Sequence, residues 1–258
     1  MQLTGWGRYP FVESAVTHPD SGAAALEAIR GPSVHGEPLG QIPRGLGRSY
    51  GDSSLAPSVI DTTRLDRLID FDEQTGLLRC GAGVSLSEIL EVFVPRGWFL
   101  PVTPGTKLVT VGGAIASDVH GKNHHIEGTF CDHVTRMGVA TPAAGIVECS
   151  PDEHAELFHG TCGGMGLTGV VVDATFRLQP IESAGIDSTM IRAANLSEAL
   201  DLFAEHEKTT YSVAWIDCLA RGRALGRSLL SVGEHASGGE LETGSSRSLV
   251  VPFDLPGA

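Results

Sequence analysis

Runs of apolar residues bounded by turn-forming residues predict a series of strands. Residues 68–71 and 77–80 flank the polar segment 72–76, a pattern that predicts a hairpin. Residues 134–148 predict a second hairpin, and residues 169–178 alternate as one long strand. Shorter strands are predicted at 40–43, 58–61, 189–191 and 212–218.

Four segments carry helix signals instead. Ser21 precedes an alanine-rich stretch that predicts a helix to Ile29. Ser85 and Glu88 have the spacing of a capping box and predict a helix that Pro95 ends. Two further helices are predicted at 153–158 and from 196 to about 206.

Pro180 follows the long predicted strand and indicates a domain boundary. We therefore expect one domain over residues 1–180 and the beginning of a second over residues 181–258. After His235 the chain becomes polar, and its last residues complete no predicted element. The second domain is therefore expected to be incomplete in this chain.

The net charge of the chain limits the classes of partner that it could bind. Its 258 residues are 41% hydrophobic, and 31 acidic against 18 basic residues give a formal net charge of −13. A nucleic-acid surface normally shows a basic stripe, so this balance argues against nucleic acid. An anionic ligand would have to bind in a local pocket of an acidic protein.

The cysteines and the apolar runs bear on location. The five cysteines are odd in number and contain no Cys-x-x-Cys, which favours reduced thiols over a disulfide framework. The polar N-terminus has no signal peptide, and no apolar run approaches the ~18 residues of a membrane span. We expect a cytoplasmic protein or one at the periphery of the cell envelope, with contact to a membrane surface left open.

Two glycine-rich regions point to a ligand. The first is residues 44–52, and the second comprises residues 104–106 and 109–125. Glycine lets the main chain pass close to a bulky group, and successive backbone N–H groups in such loops form anion sites. Arginines in the first region add positive charge. Two such regions predict a long phosphate-bearing ligand held at both ends, as a dinucleotide would be.

A third glycine pattern has a different interpretation. Residues 164–169 match Gly-x-Gly-x-x-Gly, which binds dinucleotides when a strand precedes it and a helix follows. Here a predicted helix precedes it and a predicted strand follows. This order favours a turn that touches a ligand over a Rossmann site, and no Walker A sequence occurs.

A metal site is the alternative for a group of polar residues in the second region. Imidazole and carboxylate groups suit a metal, but a lysine and a glycine interrupt the set and no His-x-x-x-His lies on a convincing helix. We therefore expect no metal. The residues concerned are Asp118, His120, His124, His125, Cys131, Asp132 and His133.

Taken together, these segments resemble the vanillyl-alcohol-oxidase (PCMH) type of FAD oxidoreductase. Residues 44–52, 104–106, 109–125 and 163–169 carry the resemblance. It implies an α+β, PCMH-type FAD-binding domain of two subdomains, followed by the start of an incomplete α+β substrate domain. Residues 3–8, 44–52 and 120–125 are similar more narrowly to a branch that oxidises the 2′-hydroxyl of a polyprenyl-phosphoryl ribose, the first half of an epimerisation that serves arabinan synthesis in actinobacterial cell walls.

The resemblance also implies which residues contact the cofactor. Many members of the family attach FAD covalently through a histidine at the position of Arg48, so non-covalent FAD is implied here. The implied cofactor-binding residues are Pro43, Arg44, Gly45, Leu46, Gly47, Arg48, Ser49, Tyr50, Gly51, Asp52, Ser53, Gly105, Thr110, Val111, Gly112, Gly113, Ser117, Asp118, Val119, His120 and Val171.

By the same resemblance, Tyr50, His120 and Lys122 would face the substrate and act in catalysis. A separate NAD(P)H-dependent short-chain reductase is the implied partner. The family's active-site lysine has no counterpart in this chain, so the chain is expected to lack part of the catalytic site. The alternatives are a sugar-alcohol or aldonolactone oxidase of the same family and a non-catalytic flavin-binding fragment.

Overall fold

A computed structural model of the protein describes residues 1–32 and 41–241. The mixed α+β class expected from the sequence is confirmed. The helices are α1 Gly22–Arg30, α2 Leu86–Phe93, α3 Val111–Ala116, α4 His124–Glu127, α5 Ala155–Thr161 and α6 Leu196–Glu205. The strands are β1 Gln2–Leu3, β2 Val12–Glu13, β3 Ala15–Thr17, β4 Gln41–Arg44, β5 Ser58–Asp61, β6 Leu68–Asp72, β7 Leu77–Gly81, β8 Trp98–Phe99, β9 Val134–Thr141, β10 Gly145–Cys149, β11 Val170–Arg177, β12 Gln179–Pro180, β13 Ile186–Ala193, β14 Tyr211–Ile216 and β15 Ser228–His235.

A small parallel sheet carries the first glycine region. Its strand order is β3-β5-β4, and Ile42 of β4 pairs with Val59 of β5. Strand β4 ends at Arg44, so residues 45–54 leave from the carboxyl end of an edge strand of this sheet. Ligands of such sheets bind outside this end of the strands, which is where the cavity described below opens.

A five-stranded antiparallel sheet forms the centre of the molecule, in the order β10-β9-β11-β7-β6. One face packs against α2 and α3, whose Phe93 and Ile115 are fully buried with Phe176 of β11. The other face packs against α1 through Ala25, next to Ile60 of the parallel sheet. Each large apolar side chain buried in this way contributes about 1.5–3 kcal/mol. The sheet therefore fixes α3 and the parallel sheet relative to each other.

Local signals placed most of these elements correctly. The capping box is confirmed, because the Ser85 hydroxyl accepts from Glu88 N at 3.2 Å and the Glu88 carboxylate accepts from Ser85 N at 2.7 Å. Helix α2 ends at Phe93, and Pro95 lies in a short 3₁₀ turn that follows it. Of the strand predicted at 40–43, residue 40 lies outside the described residues.

One prediction needed correction, and one long strand was missed. The helix predicted at 153–158 begins at Ala155, because the Ser150 hydroxyl accepts from Glu153 N and folds the preceding residues into a turn. Strand β15 was not predicted at all, yet it is the middle strand of a sheet ordered β13-β15-β14. Its alternation is short, with Leu230 and Val232 buried.

The described helices were also compared with the length of a membrane span. Within residues 1–32 and 41–241, no helix combines the length and the apolar character that crossing a bilayer requires.

Candidate functional site

A cavity of about 430 Å³ opens where the two glycine regions meet. This volume lies within the roughly 300–1,000 Å³ of typical ligand pockets. The residues that line it come from the loop after β4, from α3 and its flanks, from the turn after α5 and from β11. They are Pro43, Arg44, Gly45, Leu46, Gly47, Arg48, Ser49, Tyr50, Gly51, Ser53, Ser54, Thr62, Val109, Thr110, Gly112, Gly113, Ala116, Ser117, Val119, Thr161, Met165, Gly166, Gly169 and Val171.

The loop after β4 lines this cavity and carries unpaired N–H groups. The backbone N–H groups of residues 46–51 donate no hydrogen bond to any residue of the described chain. On the other side, the carbonyl of Ser49 accepts from Trp6 N at 2.8 Å. A Cβ on Gly5 would lie 2.5 Å from the carbonyl oxygen of Gly51, so the N-terminal segment packs tightly against the loop. A run of free N–H groups in a glycine-rich loop is suited to bind phosphate.

The Arg44 side chain packs against this loop and holds it through hydrogen bonds. Its guanidinium donates to the Thr4 carbonyl at 2.7 Å and to the Ser54 hydroxyl at 3.1 Å. Burial lowers the pKa of Arg44, and nearby Asp61 opposes that shift. A Cβ on Gly47 would lie 2.0 Å from a guanidinium nitrogen, and Gly47 has φ +65°, so only glycine fits above the arginine. The sequence predicted Arg44 as a charge for the ligand, and the structure shows both terminal nitrogens of its guanidinium donating to protein groups.

Arg48 lies at the rim of the same loop. Its Nε donates to the Leu108 carbonyl at 3.2 Å, and its guanidinium carbon lies 5.2 Å from the centre of the Trp6 ring. Tyr50 projects beside it with 87% of its surface exposed. The loop therefore keeps one cation and one phenol at the mouth of the cavity.

Helix α3 forms the opposite wall, and the backbone N–H groups of its first turn already donate to other groups of the protein. Val111 N donates to Val84 O, Gly112 N to Ala82 O, and Gly113 N to the Thr110 hydroxyl at 3.1 Å. These N–H groups are not available to a ligand. The helix contributes its surface to the site, and residues 46–51 contribute unpaired backbone N–H groups.

Gly112 and Gly113 face different neighbours. A Cβ on Gly112 would lie 3.0 Å from Cβ of Ala82 and 3.2 Å from its carbonyl oxygen. A Cβ on Gly113 would meet only the Thr110 hydroxyl within 4 Å, at 3.1 Å. Neither glycine has a positive φ, so backbone torsion does not require glycine at either position. Gly112 permits packing of α3 on the strand end, while Gly113 keeps the cavity side of the helix open.

The turn after α5 closes the third side. Residues 164–169 lie between α5 and β11, the reverse of the order in a Rossmann site. Met165 N donates to Ala116 O at 2.8 Å, and a Cβ on Gly166, which has φ +80°, would lie 2.6 Å from Pro43. Its glycine pattern is the signal that drew attention to this turn in the sequence. The cavity lining includes eight residues that the sequence did not predict as cofactor contacts, three of them from this turn. They are Ser54, Thr62, Val109, Ala116, Thr161, Met165, Gly166 and Gly169.

Six predicted site residues lie outside the cavity lining. Val111 is fully buried in the core. The Asp118 carboxylate accepts from Cys131 N at 3.0 Å, and Asp52 and Gly105 are exposed. His120 and Lys122, the other two, are exposed on the segment that follows α3.

The segment with His120 and Lys122 contacts strand β14. The carbonyl of Lys122 accepts from Ser212 N at 2.9 Å, and His125 Nε2 lies 2.9 Å from Thr209 O. Asn123 is fully buried and its amide donates to the Pro101 carbonyl at 2.6 Å. The segment is thus fixed at its middle, while the side chains of His120 and Lys122 stay exposed.

The residues weighed as metal ligands serve other contacts. The rings of His120 and His124 pack edge to face with centroids 5.8 Å apart, and His133 Nε2 lies 2.9 Å from Glu127 O. Across residues 1–32 and 41–241, no three His, Cys, Asp or Glu side chains are grouped as ligands for a metal ion.

Comparison with known protein families finds a match that covers most of the cavity. A family model described as an FAD binding domain matches residues 14–150. This range contains the parallel sheet, the loop after β4 and helix α3.

Three relatives illustrate the range of similar proteins. A decaprenylphosphoryl-β-D-ribose oxidase of Mycolicibacterium smegmatis is 36% identical over 99% of this chain and 56% of its own length. An uncharacterised protein of Streptomyces coelicolor is 40% identical over 59% of this chain and 41% of its own. A putative D-arabinono-1,4-lactone oxidase of Neurospora crassa is 25% identical over 66% and 30%. The chain spans about half the length of the first of these relatives and less of the others.

Proposed function

Because the chain belongs to the family of FAD-binding domains matched at residues 14–150, we propose that it binds FAD non-covalently in the cavity between the two glycine regions. The unpaired N–H groups of residues 46–51 are the observation that carries this proposal. They supply donors for a diphosphate, while the surfaces of α3 and β11 supply an apolar wall. By family resemblance, Arg48 occupies the position of a flavin-linked histidine, and a guanidinium forms no such bond.

The glycines of the cavity fit a large flat ligand. Apart from its own chain neighbours, no described residue places an atom within 4 Å of where a Cβ on Gly51 would lie, and Gly113 leaves the wall of α3 open. Room beside the backbone at both places lets a ligand approach the main chain. We propose that FAD contacts those predicted cofactor-binding residues that line the cavity.

We propose an oxidoreductase acting on a CH–OH group. FAD, when bound, would accept a hydride from the carbon that bears the hydroxyl, while a base takes the hydroxyl proton. Lys122 as a cation and His120 as a hydrogen-bond donor would stabilise negative charge that develops next to them, because fixed charges and donors are most effective where charge builds up. Tyr50 would contact the substrate at the mouth of the cavity.

The proposed substrate is a polyprenyl-phosphoryl ribose, oxidised at the 2′-hydroxyl to the 2-keto sugar. Support comes from the M. smegmatis relative, which aligns with 99% of this chain. A separate NAD(P)H-dependent reductase would then complete an epimerisation toward the arabinose donor of cell-wall arabinan. In this proposal residues 1–180 bind FAD, and residues 181–258 begin the substrate domain.

An aldonolactone oxidase is the second candidate, favoured by the N. crassa relative at lower identity and coverage. Anaerobic mixing of the flavin-loaded protein with a short-chain polyprenyl-phosphoryl ribose, an aldonolactone and a free polyol separates the candidates. Bleaching of the flavin band by the phosphoryl ribose alone supports the proposal. Bleaching by the lactone or the polyol overturns the substrate, and bound flavin that none of the three reduces indicates a binding module.

A further inference from the structure

Two cysteines that the proposed chemistry does not use meet behind the cavity wall. The Sγ of Cys131 lies 3.7 Å from the carbonyl oxygen of Ile115 in α3. The N–H of Gly163, which follows Cys162 in the chain, donates to the same carbonyl at 3.0 Å. Cys162 also packs against the apolar core that contains Cys131. Both residues therefore converge on the C-terminal end of α3.

The two thiols approach the same end of α3, and they differ in access. The neighbouring Cys162 thiol, burial and nearby Asp118 raise the pKa of the Cys131 thiol. Cys131 is only 9% exposed, whereas Cys162 is half-buried and can be reached from solvent. One thiol is thus open to a reagent, and the other lies directly behind it.

We propose that Cys131 and Cys162 form a modification site, a dithiol that a small-molecule disulfide oxidises to an intramolecular disulfide. The Cys162 thiolate attacks the small disulfide, forms a mixed disulfide and releases one small thiol. Cys131 loses its proton to solvent and attacks the Cys162 sulfur, which releases the second small thiol. Two cysteines are oxidised and one small disulfide is reduced to two thiols.

The crosslink would join two segments that border the cavity. Cys131 belongs to the 3₁₀ turn Phe130–His133, whose Cys131 N is held by Asp118 beside cavity residues Ser117 and Val119. Cys162 precedes the turn that contributes Met165 to the cavity. The disulfide would therefore fasten the turn after α5 to the far side of α3.

Oxidised glutathione and mass spectrometry test the site directly. Cys218 is exposed, so the Cys218→Ser protein is used to prevent crosslinks between molecules. After incubation and acid quenching, we expect a mass lower by about 2 Da, from loss of two hydrogens, and a peptide pair joined through Cys131 and Cys162. Adding Cys131→Ser should stop the reaction at a glutathione adduct on Cys162, and Cys131→Ala provides a second such variant. Adding Cys162→Ser should abolish both products.

Three results would overturn the proposal. They are a stable glutathione adduct on Cys162 without a crosslink when Cys131 is present, a crosslink from Cys162 to Cys149, and a full set of free thiols after treatment. The Cys218→Ser protein decides each of them without a further variant.

Discussion

Gly45 and Thr110 bring the two glycine regions into contact. A Cβ on Gly45 would lie 2.2 Å from the hydroxyl oxygen of Thr110, which is 1% exposed and caps α3. Gly45 has no positive φ, so this approach alone requires glycine. The contact sets how far the loop after β4 lies from the helix and hence the width of the cavity.

The first prediction tests this contact by a double-mutant cycle. Gly45→Ala should lower the free energy of unfolding by about 1–3 kcal/mol, the usual cost of overpacking. Thr110→Ala should cost about 1 kcal/mol through loss of the helix cap. Because Thr110→Ala also removes the clashing hydroxyl, the double variant should be more stable than the two losses predict, by at least roughly 0.5 kcal/mol. Urea unfolding measures all four proteins, and strict additivity would contradict the contact.

The second prediction separates Gly112 from Gly113. Gly113→Val should lose flavin with little change in circular dichroism, because its side chain enters the cavity. Gly112→Val should lower the thermal midpoint even without flavin, because its side chain meets the backbone of Ala82. Each variant is the control for the other. Full flavin occupancy in Gly113→Val would show that this glycine does not border the cofactor.

The third prediction concerns the attachment of FAD. Precipitation with acid should release all flavin into the supernatant, since Arg48 offers no atom for a covalent link to the ring. Absorbance of the pellet and of the supernatant measures the split. Flavin retained on the polypeptide refutes non-covalent binding, and a folded preparation that takes up no FAD refutes the cofactor.

The fourth prediction concerns His120 and Lys122. His120→Ala and Lys122→Ala should each slow flavin reduction by about 10²-fold, the scale of one lost electrostatic stabiliser, and weaken FAD binding much less. Stopped-flow reduction by a polyprenyl-phosphoryl ribose analogue, in a chain that includes the whole substrate domain, measures the rate. Lys208→Ala removes another exposed cation and serves as the matched control. Unchanged rates in both variants would remove these residues from the chemistry.

The fifth prediction tests Arg44 as a positioning residue. Arg44→Gln should lower the free energy of unfolding of the flavin-free protein by about 1.5–3 kcal/mol, because it removes charged hydrogen bonds to Thr4 and Ser54. Arg64→Gln, on an exposed arginine, should change it little. If Arg44→Gln weakens only FAD binding, the guanidinium serves the ligand and not the loop.

The sequence by itself determined the features that depend on near neighbours in the chain. The capping box at Ser85 and the hairpin of β6 and β7 were predicted because their partners lie a few residues away. The two glycine regions were recognisable for a similar reason, since runs of small residues with arginine form a compact pattern. The resemblance of the chain to FAD oxidoreductases rested on those regions.

Only the tertiary structure decided what each glycine and arginine faces. Gly112 and Gly113 are adjacent in sequence, yet residues of a helix turn by about 100° each, so one meets Ala82 and the other the cavity. Arg44 binds Thr4, forty residues earlier, which no local pattern encodes. The same holds for β15, whose short apolar alternation becomes a strand because β13 and β14 pair with it on both sides. Contacts between distant segments set these outcomes, and packing around the central sheet determines those contacts.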